Sequence, residues 1–421
     1  MNHKKRGIVQ AAVCLTAAAS LLISGGDVQA KGNQASAKPA AKAKNVILFV
    51  GDGMGAAARD AIRLNTVGLN GKLQMDDMPY SAFLRTHSTV AVTDSAAAGT
   101  TIASGVKTYN GAVGVDANKK PVKTLLEVAK GLGKSTGLVT TSQITDATPA
   151  AFGAHVEDRS QQSKIAKQYL DNSKVDVLLG GGEDFWYPAG NPGKFEDHPA
   201  EDSSEESKGT EGNLVEHAKK LGYQYVTSKE ELQKAKNGKM LGLFANEEMF
   251  QQNPEGEGDV YNPVVPLKDM TQKALDTLSM NKKGFFLMVE EEGIDEMAHE
   301  NNAKLTIKAG QELDKAVGVA KVFAKKHPDT LVLVLADHET GGFALEPVDE
   351  KDESGDGISK EDGPFSIFGS QEQFYVDWTT SGHTGVDIPL TAMGSGAELF
   401  TGVRENTYVH DAILKAWGLL K

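Results

Sequence analysis

Six short and nearly unbroken apolar runs punctuate the chain, at 45–50 (NVILFV), 137–141 (GLVTT), 175–179 (VDVLL), 239–245 (KMLGLFA), 285–290 (FFLMVE) and 330–336 (TLVLVLA). Each is bounded by glycine or polar residues, and runs of this length suit strands covered on both faces. Between them, 122–132, 160–170, 213–221, 267–280 and 306–327 read as helices. The last carries Ile307, Leu313, Val317, Ala320 and Phe323 near helical spacing. A further apolar strand is predicted over 386–394. Strands alternating with helices predict an α/β fold, with a mostly parallel central sheet and helices on both faces of one large domain over 45–421. There are no internal repeats.

The first thirty residues follow a different pattern. Lys4, Lys5 and Arg6 precede an apolar run from Ile8 to Ile23, and small residues close it at Ala30. That is the order of a secretory signal peptide, and the run is too short and too interrupted for a membrane span. An exported protein is expected, whether secreted, held at a cell wall or periplasmic. Residues 31–44, rich in Lys, Ala, Gly and Ser, read as a flexible leader. Cys14, the single cysteine of the sequence, would be discarded with the signal, so disulfides are not expected to contribute.

The 421 residues hold 44 Lys plus Arg against 57 Asp plus Glu, a net charge of −13 that becomes −15 without residues 1–30. No basic stripe interrupts this excess, which argues against a nucleic-acid partner. Part of the acidity lies in 196–212 and 349–363, read as surface loops. Asp352, Ser354, Asp356 and Gly357 faintly resemble a calcium loop. Gly363 stands where that loop needs its bidentate glutamate, so a solvated loop is preferred.

The remaining polar residues of interest fall at strand ends, where ligands bind in open α/β sheets. The first strand runs into Gly51-Asp52-Gly53-Met54-Gly55, the fifth into Glu290 through Asp295, the sixth into Asp337-His338. GDGMGA also fits a loose dinucleotide-loop pattern, but an aspartate in the turn would repel a pyrophosphate and welcome a cation. Asp295 and His299 share one face of a helical turn. His383 sits in a Gly-flanked turn before the last predicted strand. These positions offer one aspartate with two histidines for one ion, and two aspartates with one histidine for another, a mixture suited to Zn²⁺. Asp52, Glu290 and Thr148 form an all-oxygen set suited to Mg²⁺.

The alanine run in TDSAAAGT (93–100) predicts a helix that starts at Ser95, where backbone N–H groups favour an anion. A capping role for Ser95 or Asp94 is the bland alternative. No histidine follows in a G-x-S-x-G elbow, so a hydrolase triad is not indicated. Arg159 could present a planar fork to two phosphate oxygens.

Taken together, NVILFVGDGMG (45–55), TDSAAAGT (93–100), TDATPAAFGAHVEDR (145–159), FFLMVEEEGIDEMAH (285–299), ADHETGG (336–342) and SGHTG (381–385) make the sequence resemble the alkaline phosphatases from about Asn45 onward. The resemblance implies that family's three-layer sandwich and a phosphate-monoester hydrolase of broad specificity that releases inorganic phosphate. It further implies that Ser95 is phosphorylated and that Arg159 holds the phosphoryl group, oriented by Asp94. Asp295, His299 and His383 would bind one zinc, and Asp52, Asp337 and His338 the second. Asp52, Glu290 and Thr148 would bind magnesium, with Asp146 around it. A homodimer is a further family expectation.

Two departures stand out. Glu296 replaces the Lys, His or Trp usual in the family, and the cysteines that form disulfides in some members are absent. A sulfatase-like relative is disfavoured because Ala-Ala-Ala follows Ser95. A phosphodiesterase of the same superfamily and an exported phosphate- or metal-binding protein without turnover are the remaining alternatives.

Overall fold

The computed structural model describes residues 42–195, 206–250, 260–348 and 361–420. The signal peptide, nearly all of the leader and most of both acidic loops lie outside the described residues.

The strands are β1 (Asn45–Gly51), β2 (Tyr80–Arg85), β3 (Ser135–Gln143), β4 (Val177–Gly181), β5 (Gln224–Val226), β6 (Met240–Leu243), β7 (Phe285–Glu291) and β8 (Thr330–Leu335). They continue with β9 (Glu339–Thr340), β10 (Ala344–Pro347), β11 (Asp362–Ser366), β12 (Gln373–Asp377), β13 (His383–Thr384), β14 (Ile388–Gly394) and β15 (Gly402–Glu405). The helices are α1 (Ala56–Val67), α2 (Ser95–Ser104), α3 (Leu125–Gly131), α4 (Ala147–Gly153), α5 (Gln162–Asp171) and α6 (Leu214–Lys220). After them come α7 (Lys229–Lys234), α8 (Leu267–Leu278), α9 (Gly293–His299), α10 (Ala303–Lys326) and α11 (Tyr408–Ala416).

Ten strands form one sheet in the order β15-β2-β14-β8-β1-β7-β3-β4-β6-β5. Every neighbouring pair is parallel except the two that involve β14, which runs against both β2 and β8. The predicted α/β architecture with a mostly parallel sheet is therefore the one observed. Every residue of β1, β7 and β8 is buried, as continuous apolar strands at a sheet centre must be. Helices α1, α8 and α10 pack as one group, and α2, α3, α4, α5 and α11 as another, both resting on the central strands.

All seven predicted strands and all five predicted helices are present, with ends shifted by a few residues. Several elements have no counterpart in the apolar runs. Helix α1 follows directly on the glycine-rich turn that ends β1. Strand β2 buries only Ala82 and Leu84, leaving Tyr80 and Phe83 exposed. A separate three-stranded sheet, β10-β12-β11, carries its own small core, in which Phe343 and Trp378 meet edge to face at 4.8 Å. That core buttresses the segment leading to His383. Among the described residues, no helix is long and apolar enough to cross a membrane.

Candidate active site

The register of the central strands sets the site. Val50 of β1 lies beside Glu290 of β7 and Leu335 of β8, so Asp52, Glu290 and Asp337-His338 leave the sheet at one edge. His383 reaches that edge differently: it opens β13, pairs with Thr340 of β9 and precedes the reversed strand β14.

Asp52, Asp337 and His338 are all buried, and one potential ligand atom from each falls within 4.8 Å of the others. His338 Nε2 stands 3.3 Å from Asp52 Oδ1 and 3.3 Å from Asp337 Oδ2. Neither carboxylate oxygen has a hydrogen-bond partner. The other oxygen of Asp337 accepts from the backbone N–H of His338 and of Gly53, at 3.0 and 3.3 Å. Gly53 has φ +65, and a Cβ there would meet Asp295 Oδ1 at 2.5 Å, so only glycine lets this turn approach the site. Burial and the charges of Asp337 and Asp295 push the Asp52 carboxyl well above its usual range.

Asp295, His299 and His383 form a second cluster of the same size. His299 Nε2 is 3.1 Å from Asp295 Oδ2 and 3.1 Å from His383 Nε2. Each of the two rings turns its Nδ1 to a carbonyl, His299 to Ser381 at 2.6 Å and His383 to Thr93 at 2.9 Å. Such outer contacts fix the tautomer and leave Nε2 facing the cluster. Burial pushes Asp295 upward, but hydrogen bonds from His299 and His383 outweigh it and hold the carboxyl well below its usual range. The His299 imidazole is raised to about 9 by Asp295. The two clusters abut, with the His338 and His383 rings stacked at 3.6 Å.

Ser95 is the first residue of α2 and is buried, and its hydroxyl lies 3.1 Å from His338 Nε2. The capping reading holds for Asp94, whose Oδ1 accepts from Ala97 N at 2.9 Å. Its Oδ2 accepts from Gly111 N at 2.8 Å and lies 3.8 Å from Arg159 Nη1. Arg159 is gripped more closely by Asp146, whose oxygens accept from Nη2 at 2.8 and 3.0 Å. Asp146 in turn raises the Arg159 guanidinium above its usual value.

The oxygen-only set is also assembled. Thr148 Oγ1 donates to Asp52 Oδ2 at 3.4 Å, and Glu290, pushed up to about 8 by burial, accepts from Thr140 at 2.6 Å. All twelve residues singled out in the sequence thus fall in one region. Three threonines were missed. Thr340 donates to Asp295 and lies 3.3 Å from His338 Nδ1; Thr140 and Thr141 hold Glu290 and Glu291. The two-residue spacing from His338 to Thr340 is a strand signal that could have placed both on one face.

The profile of the alkaline phosphatase family matches residues 43–353. Alkaline phosphatase 4 of Bacillus subtilis is 36% identical over 98% of this chain and 97% of its own. The alkaline phosphatase of Escherichia coli is 32% identical over 94% of this chain and 90% of its own. Among solved structures, a variant of TAB5 alkaline phosphatase with Mg bound in its M3 site superposes with a TM-score of 0.72. It is 31% identical, and the match covers 91% of this chain and 100% of that one.

Proposed function

The chain belongs to the alkaline phosphatase family, a family of phosphomonoester hydrolases, and on that premise we propose a zinc- and magnesium-dependent enzyme that works through a phosphorylated Ser95. One observation carries this reading: the Ser95 hydroxyl sits 3.1 Å from His338 Nε2, inside a cluster in which one oxygen each of Asp52 and Asp337 lacks a hydrogen-bond donor.

The residues fit cations. Buried carboxylate oxygens without donors, aimed at a ring nitrogen, are costly unless positive charge joins them. Asp295, His299 and His383 would hold one zinc, and Asp52, Asp337 and His338 the other. Asp52, Glu290 and Thr148 would hold magnesium, with Asp146 beside them; the magnesium in the M3 site of the TAB5 variant supports a third ion. Bound there, the ions would supply charge that lowers the pKa of a hydroxyl and of water and offsets the phosphoryl oxygens.

Ser95 attacks phosphorus, and its new O–P bond forms as the bond to the leaving alcohol breaks. Arg159, presented by Asp146 and Asp94, binds the non-bridging oxygens, assisted by the amino end of α2. Water then attacks the phosphoserine, releasing inorganic phosphate and restoring the hydroxyl. No residue in this scheme contacts the leaving group, so broad specificity for monoesters belongs to the proposal. Export by the signal at 1–30 and a homodimer belong to it as well.

Ser95→Ala tests the reading. Hydrolysis of p-nitrophenyl phosphate should fall by ~1,000-fold or more while inorganic phosphate still binds. Unchanged hydrolysis would remove Ser95 from the role.

A further inference from the structure

The three histidines of the two clusters are held in two different ways. His299 and His383 each turn Nδ1 to a backbone carbonyl, that of Ser381 and that of Thr93. The Nδ1 of His338 instead meets the Thr340 hydroxyl, at 3.3 Å. A carbonyl only accepts, so a chain of hydrogen bonds that reaches one ends there, whereas a hydroxyl both accepts and donates. Thr340 Oγ1 donates onward to Asp295 Oδ1, a carboxylate of the other cluster. His338 Nδ1 and Asp295 Oδ1 are themselves 3.9 Å apart, too far for a direct hydrogen bond, so the hydroxyl makes the connection.

The backbone places this hydroxyl with little freedom. His338 and Thr340 are two positions apart on extended chain, so their side chains share a face. Thr340 N donates to Gly53 O at 3.2 Å, which ties it to the turn carrying Asp52, and its partner across β9 and β13 is His383. A Cβ on Gly53 would stand 2.8 Å from Thr340 Oγ1, so that turn closes directly over the hydroxyl. The intervening Glu339 points the other way, accepting from Thr384 and from Phe343 N, and so fixes β13 against β9. Thr340 is 1% exposed, and a β-branched side chain is restricted at χ1, which holds the hydroxyl where it stands.

We propose that Thr340 is a positioning residue for both zinc sites, its hydroxyl accepting from His338 Nδ1–H while donating to Asp295. With Nδ1 protonated, the lone pair of His338 lies on Nε2, the atom 3.1 Å from the Ser95 hydroxyl, where a cation can use it. The bond onward fixes Oδ1 of Asp295, whose other oxygen is 3.1 Å from His299 Nε2. One hydroxyl thus orients a ligand of each cluster, and its loss is felt at both.

The role rests on the zinc reading of the site, and one experiment separates the two. Zinc is withdrawn from the holoenzyme by a chelator of graded concentration, and the ions left per chain are counted. T340V keeps the shape of the side chain and removes the hydroxyl, so both sites should weaken by ~10–100-fold, the usual cost of losing a ligand's outer partner. T340S restores the hydroxyl and should hold both ions as wild type does, with kcat for p-nitrophenyl phosphate falling in T340V and recovering in T340S. T340A, which lacks the hydroxyl and adds no bulk, should weaken both sites alike and serves if T340V does not fold. Wild-type zinc affinity in the variants without the hydroxyl, a loss confined to one site, or T340S as weak as T340V would each overturn the role of Thr340. Wild-type protein that holds no zinc would instead overturn the zinc reading.

Discussion

Two buried polar regions of this protein are built on opposite principles. Under β14, the loop at 72–77 is tied down by Arg59, which donates to Asp76 at 2.8 Å, Met75 O at 2.6 Å and Thr391 at 3.1 Å. Asp314 accepts from the N–H groups of Gln74 and Met75 at 3.0 and 2.9 Å, and Lys321 donates to the carbonyls of Gln74 and Asp77 at 2.8 Å each. Only Arg59 Nη1 is left without a partner. At the carboxyl edge of the sheet, Asp52, Asp337 and Glu292 each leave an oxygen without a donor and face other carboxylates. The first arrangement is, but for that one nitrogen, complete without help. The second leaves buried negative charge that only a cation would offset, as the proposed metal sites require.

The contrast breaks most sharply at Asp337. Asp337→Asn should lower kcat/KM beyond the ~10–100-fold that loss of an outer partner to a metal ligand costs. The same change relieves Asp52 of a like charge, so the metal-free variant should melt higher than metal-free wild type by calorimetry. A lower melt would mean that the cluster is satisfied in a way its geometry does not suggest.

Chelation comes next in size. Removal of metal should abolish hydrolysis and lower the melting temperature together, because ions that bind only the folded chain stabilise it by mass action. An unchanged melt after demonstrated metal loss would refute that link.

In the satisfied region the expected effect reverses. Arg59→Met strips the loop of its donor and should cost about 2–3 kcal/mol, below the ~3–5 kcal/mol of a fully buried pair because Asp76 is partly exposed. Urea unfolding should show the loss, with kcat within about twofold of wild type.

The smallest effect is a pH dependence away from both regions. Burial lowers His155, but its bond to Glu127 at 3.1 Å wins and raises the imidazole; burial raises Glu127, but His155 and the Thr124 N–H win and lower the carboxyl. The pair's stabilisation is therefore fully present between about pH 4.5 and 6.5, the unfolded values. It fades above that window as His155 loses its proton, and below it as Glu127 gains one. Melts of wild type and Glu127→Gln should differ most inside that window and converge towards pH 9.

How much of this the sequence discloses depends on what each element answers to. β1, β7 and β8 are covered on both faces, so their apolar runs are uninterrupted and their ends are legible; Asp52, Glu290, Asp337 and His338 sit at those ends. Strand β2 is half-exposed and shows no run, and β5 is three residues long. Helix α1 is masked by the glycines that precede it. Thr140 and Thr141 act through partners distant in sequence, so no local spacing marks their roles, and only the two-residue step from His338 hints at Thr340.

The reversed strand β14 has a consequence in time. Among the described residues it is the sole link between β8 and the β15-β2 edge, and the turn just before it supplies His383. Tyr80–Arg85, made early, thus waits for a partner more than three hundred positions later in the chain, a contact of very long loop closure. A nascent chain can form β1, β3, β7 and β8 before His383 has been made. On the proposed reading, competence would arrive only with this last part of the polypeptide, and a chain still being made would be inert.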